Sequence, residues 1–165
     1  MKIKEILIVM GSKSDLPLFD DAMELLKKFK IPNQIRILSA HRSPKLLIQQ
    51  IEHLSKSVHV IVAAAGGAAH LAGVVAAHTL KPVIGVPALS ALKGVDSFVS
   101  TSQMPAGIPV ATMSIGKAGA TNAILLATEI LALHDQILEK KLISYRKAQV
   151  KKIRGTNREF LRKRR

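Results

Sequence analysis

The sequence contains no cysteine and no tryptophan in 165 residues. Without cysteine it can have no disulfide framework, no thiolate zinc or iron–sulfur site and no cysteine nucleophile. That fits an intracellular, cytoplasmic protein. Aromatic side chains are nearly absent as well. Phe19, Phe29, Phe98, Tyr145 and Phe160 are the only five, too few and too scattered for the base-stacking platform of a single-stranded nucleic acid binder. Wholesale disorder is excluded, because 48% of the residues are hydrophobic and only 22% are charged. The longest apolar stretch, Val58 to Leu80, approaches the length of a membrane span but carries His59, His70 and His78 with Gly66, Gly67 and Gly73. A buried strand, a glycine turn and a small-residue helix account for it better than a span does. At the amino end, Lys2 and Lys4 precede an apolar run too short for a signal peptide.

Acid is the other scarcity: 11 Asp and Glu stand against 25 Lys and Arg, a formal charge of +14. Its location matters more than its size. From Lys140 to Arg165 there are 12 basic residues and one acid, Glu159, giving +11, whereas residues 1 to 139 carry only +3. The body is close to balanced, which argues against a nucleic acid or anionic membrane partner for it. The basic end reads most simply as a solvated helix that frays into a tail. The length suits one domain that buries roughly two-thirds of its unfolded surface. The expected division is one α/β domain over residues 1–150, with a basic tail, 151–165, continuing the last helix.

Short β-branched runs alternate with helical periodicities, the pattern of an α/β domain. Strand one is read as Ile3 to Met10, apolar from Ile6 as a strand covered on both faces should be. A helix follows from Ser14 or Asp15, with Pro17 in its first turn and a stripe of Leu18, Ala22, Leu25, Leu26 and Phe29. Strand two spans about Gln34 to Leu38, and Ser43–Pro44 start a helix carrying Leu47, Ile48, Ile51 and Leu54. Strand three, Val58 to Ala64, leads through Gly66–Gly67 into a small-residue helix ending near His78. Strand four, Val83 to Val86, opens a long segment, Ala88 to Gly107, of the kind that often carries function. Strand five is placed near Pro109 to Met113, an apolar helix over Ala120 to Leu133, and a last amphipathic helix from Asp135 toward Ile153. The expected fold is a three-layer αβα sandwich with a mainly parallel, flavodoxin-like sheet and an extra C-terminal helix.

In such a sheet a ligand sits outside the carboxyl ends of the strands. Three consecutive strand ends carry unusual loops. Gly11-Ser12-Lys13-Ser14-Asp15 joins a turn-permitting glycine, two hydroxyls and a helix start, an anion cradle. Ser39-Ala40-His41-Arg42-Ser43-Pro44 pairs a titratable imidazole with a guanidinium suited to phosphate. Ala65-Gly66-Gly67-Ala68-Ala69-His70 lets backbone approach a ligand and adds a second imidazole. Each loop alone has an ordinary reading as turn, cap or satisfied histidine. Their convergence points to one site for a small phosphorylated molecule. Other chemistries find no motif. There is no Gly-x-Gly-x-x-Gly, Gly-x-Ser-x-Gly or His-Glu-x-x-His. A Walker-like Gly116-Lys117 has Ala111 for its first glycine and Ala118 for its hydroxyl residue.

These loops resemble the PurE family of purine biosynthesis, the N5-carboxyaminoimidazole ribonucleotide mutases, from about Ile6 to Gln149. The resemblance is carried by Val9 to Asp15, Ser39 to Pro44, Ala65 to Leu71, Pro82 to Pro87, Ser102-Gln103-Met104-Pro105 through Val110, and Ile115 to Ala123. It implies a carboxylate moved from N5 to ring carbon C4 of a ribonucleotide, with no metal or organic cofactor. It further implies that Ser12, Ser14, Ser39 and Arg42 hold the phosphate and ribose end, and that Asp15 takes the ribose hydroxyls. His41 would carry the proton, and Gly66, Gly67, Ala68 and His70 would line the pocket for CO2. Gly11 and Leu71 complete the implied substrate contacts, and His70 is the second catalytic candidate. Gly94-x-Asp96-Ser97 and Gln103-Met104-Pro105 look like the mutase form and not the direct CO2 carboxylase form, which stays the alternative within the family. A homo-oligomer, an octamer by the resemblance, is expected to use the helices at Ala68–Ala77 and Ala120–Leu133 as packing faces. The competing reading from another class is an RNA-binding module anchored by the basic end.

Overall fold

The computed structural model describes residues 4–164. Five parallel strands form one sheet in the order β2-β1-β3-β4-β5, where β1 is Glu5–Met10, β2 Asn33–Ile37, β3 Val58–Ala65, β4 Val83–Pro87 and β5 Ala111–Thr112. The register aligns Ile35, Ile8, Val62, Ile84 and Ala111 in one row across the sheet. Side chains alternate between two cores. Ile6, Ile8, Met10, Val60, Val62 and Ile84 point toward α1 (Asp20–Phe29), α5 (Lys117–Ala132) and α6 (Gln136–Arg162). Leu7, Val9, Ile61, Ala63 and Val83 face α2 (Pro44–Glu52) and α3 (Leu71–Ala77). Gly85 lets α4 (Val95–Ser102) approach on the second face, since a Cβ there would stand 2.4 Å from Thr101 Cγ2. This is the expected αβα sandwich, and no helix among the described residues is long and apolar enough to cross a membrane.

The strands follow the sequence reading, with differences that have physical causes. Ile3, the first residue assigned to strand one, lies outside the described residues. The first helix is not α-helical from its cap: Lys13–Phe19 forms a 3₁₀ helix, and α1 starts only at Asp20. Pro17 has no N–H to bond either three or four residues back, so the turn that contains it lacks one backbone hydrogen bond, and the regular α-helix starts only beyond it. Burying Phe19, Leu26 and Phe29, each about 1% exposed or less, stabilises the fold by roughly 1.5–3 kcal/mol apiece. The segment after β4, given no secondary structure from the sequence, contains α4. Its Val-Asp-Ser-Phe-Val-Ser-Thr-Ser composition has poor intrinsic helix propensity. Contacts fix it instead: it starts at Gly94 with φ of 88°, where a Cβ would meet Ile115 Cγ2 at 2.4 Å. Strand five shrinks to two residues, and α5 begins three residues early, at Lys117.

The last helix is longer than expected. It runs without a break to Arg162, so the basic residues after Ile153 continue the helix. Asp135 caps it by accepting from the Ile137 and Leu138 N–H groups at 3.0 and 3.1 Å. Leu138 and Leu142 are buried, Tyr145 meets Phe29 edge to face at 5.9 Å, and the Lys141 ammonium donates to the Phe29 carbonyl. Beyond Tyr145 nearly every residue is exposed.

Candidate active site

Between β1 and β3 the strand order reverses, and the loops leaving β1, β2 and β3 enclose a cleft of about 410 Å³ there. Gly11, Ser12, Ser14, Asp15, Ser39, His41, Arg42, Gly66, Ala68, His70 and Leu71 all line it. Of the residues proposed from sequence, Gly67 alone is not in the wall. Its φ is 67°, and its N–H donates to Ser97 Oγ at 2.9 Å, so it shapes the turn from behind. The Ala69 and His70 amides are also engaged, by the carbonyls of Gly67 and Ala68.

The β1 loop is a closed hydrogen-bonded unit. Ser12 caps the 3₁₀ helix: its Oγ accepts from the Ser14 N–H at 3.3 Å and the Ser14 hydroxyl at 2.8 Å. Asp15 Oδ2 accepts from the Ser12 N–H at 3.1 Å, completing a capping box. Burial pushes the Asp15 carboxyl above its ordinary value, and the Ser12 amide, the Arg42 charge and the Ser14 hydroxyl only partly offset this. Gly11 has no positive φ, and a Cβ there would meet only ordinary contacts, Asp15 Oδ2 among them at 4.0 Å. The turn itself therefore does not demand glycine. The missing side chain instead leaves room in the cleft beside the carboxylate.

Arg42 ties the β2 loop to the β1 loop. Its Nη2 donates to the Gly11 carbonyl at 2.6 Å, and its backbone N–H donates to Ser39 Oγ at 3.1 Å. Three guanidinium N–H groups remain for an anion once Nε and one Nη2 proton are used. His41, four residues past the end of β2, and His70, at the start of α3, meet across the cleft with Nε2 and Nδ1 2.7 Å apart. Their rings lie edge to face at 84°. Among the described residues no group of three or more His, Asp or Glu is arranged to hold a metal ion.

Sequence reasoning missed four lining residues: Ala40, Ala65, Leu89 and Ser90. Ser90 had a signal, because it lies in the long segment already suspected of function. The Ser90 hydroxyl donates to the Asp96 carboxylate and accepts from Ser97 at 3.2 Å, and Ser97 is fully buried. This chain links the cleft wall to the turn at Gly67. A second hollow opens on the other side of His70, lined by Gly73, Val74, Ser100, Gln103 and Met104.

Residues 5–152 match the family model described as AIR carboxylase. The chain is 51% identical over 148 residues to the N5-carboxyaminoimidazole ribonucleotide mutase of Escherichia coli (strain K12), covering 88% of each chain. It is 49% identical over 148 residues to that of Methanocaldococcus jannaschii, covering 90% of this chain and 92% of the other. The crystal structure of Treponema denticola PurE superposes with a TM-score of 0.84 at 29% identity, over 94% of this chain and 98% of that one.

Proposed function

The chain belongs to the AIR carboxylase family, and from that premise we propose that its cleft isomerises N5-carboxyaminoimidazole ribonucleotide by moving the carboxylate from N5 to C4. This is a step of de novo purine biosynthesis. The observation that carries the reading is the His41–His70 pair at 2.7 Å, lining the same cleft as the Ser12 and Arg42 anion donors and the Asp15 carboxylate. The relatives that match over nearly nine-tenths of the chain are mutases, which favours the mutase form over direct carboxylation. The Ser90–Asp96–Ser97 links support the same choice, because they join the Gly94 to Ser97 motif to the cleft wall.

Arg42, Ser12, Ser14 and Ser39 hold the phosphate end, where charge-assisted hydrogen bonds are strongest. Asp15 accepts from the ribose hydroxyls. His41 gives a proton to N5 as the N–CO2 bond breaks. C4 then attacks the freed CO2, and the imidazole pair removes the C4 proton, so the protein ends in its starting protonation state. Gly66 and Ala68 face the transferring carboxylate with the two loop amides that no other group engages among the described residues. Closing the site to water keeps CO2 from escaping between the two steps.

The same reading includes a homo-oligomer, an octamer by the family resemblance. The buried apolar side chains of α5 pack within their own chain, while Leu125, Leu126 and Ile130 stay partly exposed and leave that helix available as one packing face. Exposed Leu89, Leu92, Val95, Phe98 and Val99 beside the cleft offer a further candidate. Light scattering should show an assembly, and a stable monomer at micromolar concentration would refute it.

The deciding experiment supplies N5-carboxyaminoimidazole ribonucleotide in buffer containing labelled bicarbonate. Product should start essentially unlabelled, and a parallel reaction without added bicarbonate should turn over as well. Immediate full labelling, or turnover only from the uncarboxylated ribonucleotide and CO2, would favour direct carboxylation.

A further inference from the structure

The long carboxyl-terminal helix presents a feature that the cleft does not use. At the spacing i, i+4, i+7, i+11, i+14, i+18, i+22 from Lys140 come Ser144, Lys147, Lys151, Arg154, Arg158 and Arg162. These positions fall on one face of α6, and apart from Ser144 each carries a cation. All six cations are exposed, and among the described residues none has a carboxylate within ion-pair distance. At 1.5 Å rise per residue the row is about 33 Å long, with steps of about 4.5–6 Å from Lys147 onward. The last three cations lie beyond the residues matched to the family.

We propose that this row binds the phosphate backbone of a double-helical nucleic acid, without sequence preference. A duplex carries one negative charge per about 1.7 Å of its axis, so a straight row of cations meets a continuous supply of phosphates and releases their counterions. Single strands are disfavoured because no aromatic platform accompanies the row. An anionic membrane fits less well. The adjoining seam of α6, Ile143, Arg146, Val150, Ile153, Asn157 and Phe160, is interrupted by polar residues, and the Arg164 guanidinium lies 5.2 Å from the Phe160 ring centroid. An interfacial helix needs a continuous apolar face to insert. The surface is separate from the cleft, so the proposal does not depend on the isomerase reading.

The test is fluorescence anisotropy of the full chain with labelled RNA and DNA duplexes, each longer than the row. With six phosphates neutralised, log K should fall against log salt with a slope of about −5, roughly a 10³-fold loss between about 50 and 200 mM. The triple variant Lys151→Gln, Arg154→Gln, Arg158→Gln should bring the slope to about −3, with helicity and turnover at the cleft unchanged. Binding to both duplexes, or to either alone, supports the proposal and identifies the source of the backbone. It is overturned if neither duplex binds at low salt, if the triple variant keeps the full slope, or if the chain sediments only with vesicles rich in phosphatidylserine.

Discussion

Nε2 of His41 lies 2.7 Å from Nδ1 of His70, although 29 residues separate them and they belong to different loops. A contact of that length between two imidazoles needs one nitrogen to donate and the other to accept, so the pair holds one proton between them. In the resting cleft His70 therefore occupies Nε2 of His41 and orients the ring. Substrate must compete for that nitrogen or use Nδ1.

Replacing His41 with Asn should leave folding and binding largely intact and lower the rate by at least ~10²-fold, the usual contribution of a positioned acid or base. His70→Asn should cost less, because it removes the partner and not the carrier. Single-turnover rates measure both, and near-normal turnover of His41→Asn would sink the assignment.

Arg42→Ala should act mainly on KM. A charge-assisted hydrogen bond contributes about 1.5–3 kcal/mol, which converts to a rise in KM of about 10- to 150-fold. Steady-state kinetics with an unchanged KM would place the phosphate elsewhere.

Asp15 makes stability depend on pH in a direction opposite to that of most carboxylates. Its burial raises the native value above the ordinary 3.8, so the native state holds this proton more tightly than the unfolded chain. Stability therefore falls as pH rises from about 3.8 through the raised value, and stays reduced above it. Asp15→Asn keeps an oxygen for the Ser12 amide and removes the charge. Denaturant titrations should find the variant stabilised relative to the parent chain at neutral pH, with the gain shrinking below the ordinary carboxyl value. A gain that grows toward acid pH would reverse the assignment.

Two glycines should respond in opposite ways to alanine. A Cβ at Gly119 would stand 1.7 Å from the Ser114 carbonyl oxygen, and backbone cannot swing aside like a side-chain tip. Gly119→Ala should cost about 1–3 kcal/mol or more, as overpacking does. At Gly155, inside α6, nothing lies within 4 Å of the added atom, and alanine should add about 0.5–1 kcal/mol through helix propensity. Thermal melts of the two variants shifting the same way would contradict this account.

What the sequence determined by itself was local. Apolar runs made β1 and β3, the 3.6-residue stripe over Ala22, Leu25, Leu26 and Phe29 made α1, and loop chemistry marked eleven residues that line the cleft. Those signals survive in one dimension because each depends on neighbours within a turn or a strand. Only the tertiary structure decided that His41 and His70 share a hydrogen bond, that Gly67 turns its amide to Ser97, and that Ser90 joins the wall. It also made a helix of Val95–Ser102 against its own propensity and required glycine at 119. Each of these rests on an atom brought close by the strand order β2-β1-β3-β4-β5, and strand order is set by packing between segments distant in sequence, which no local pattern records.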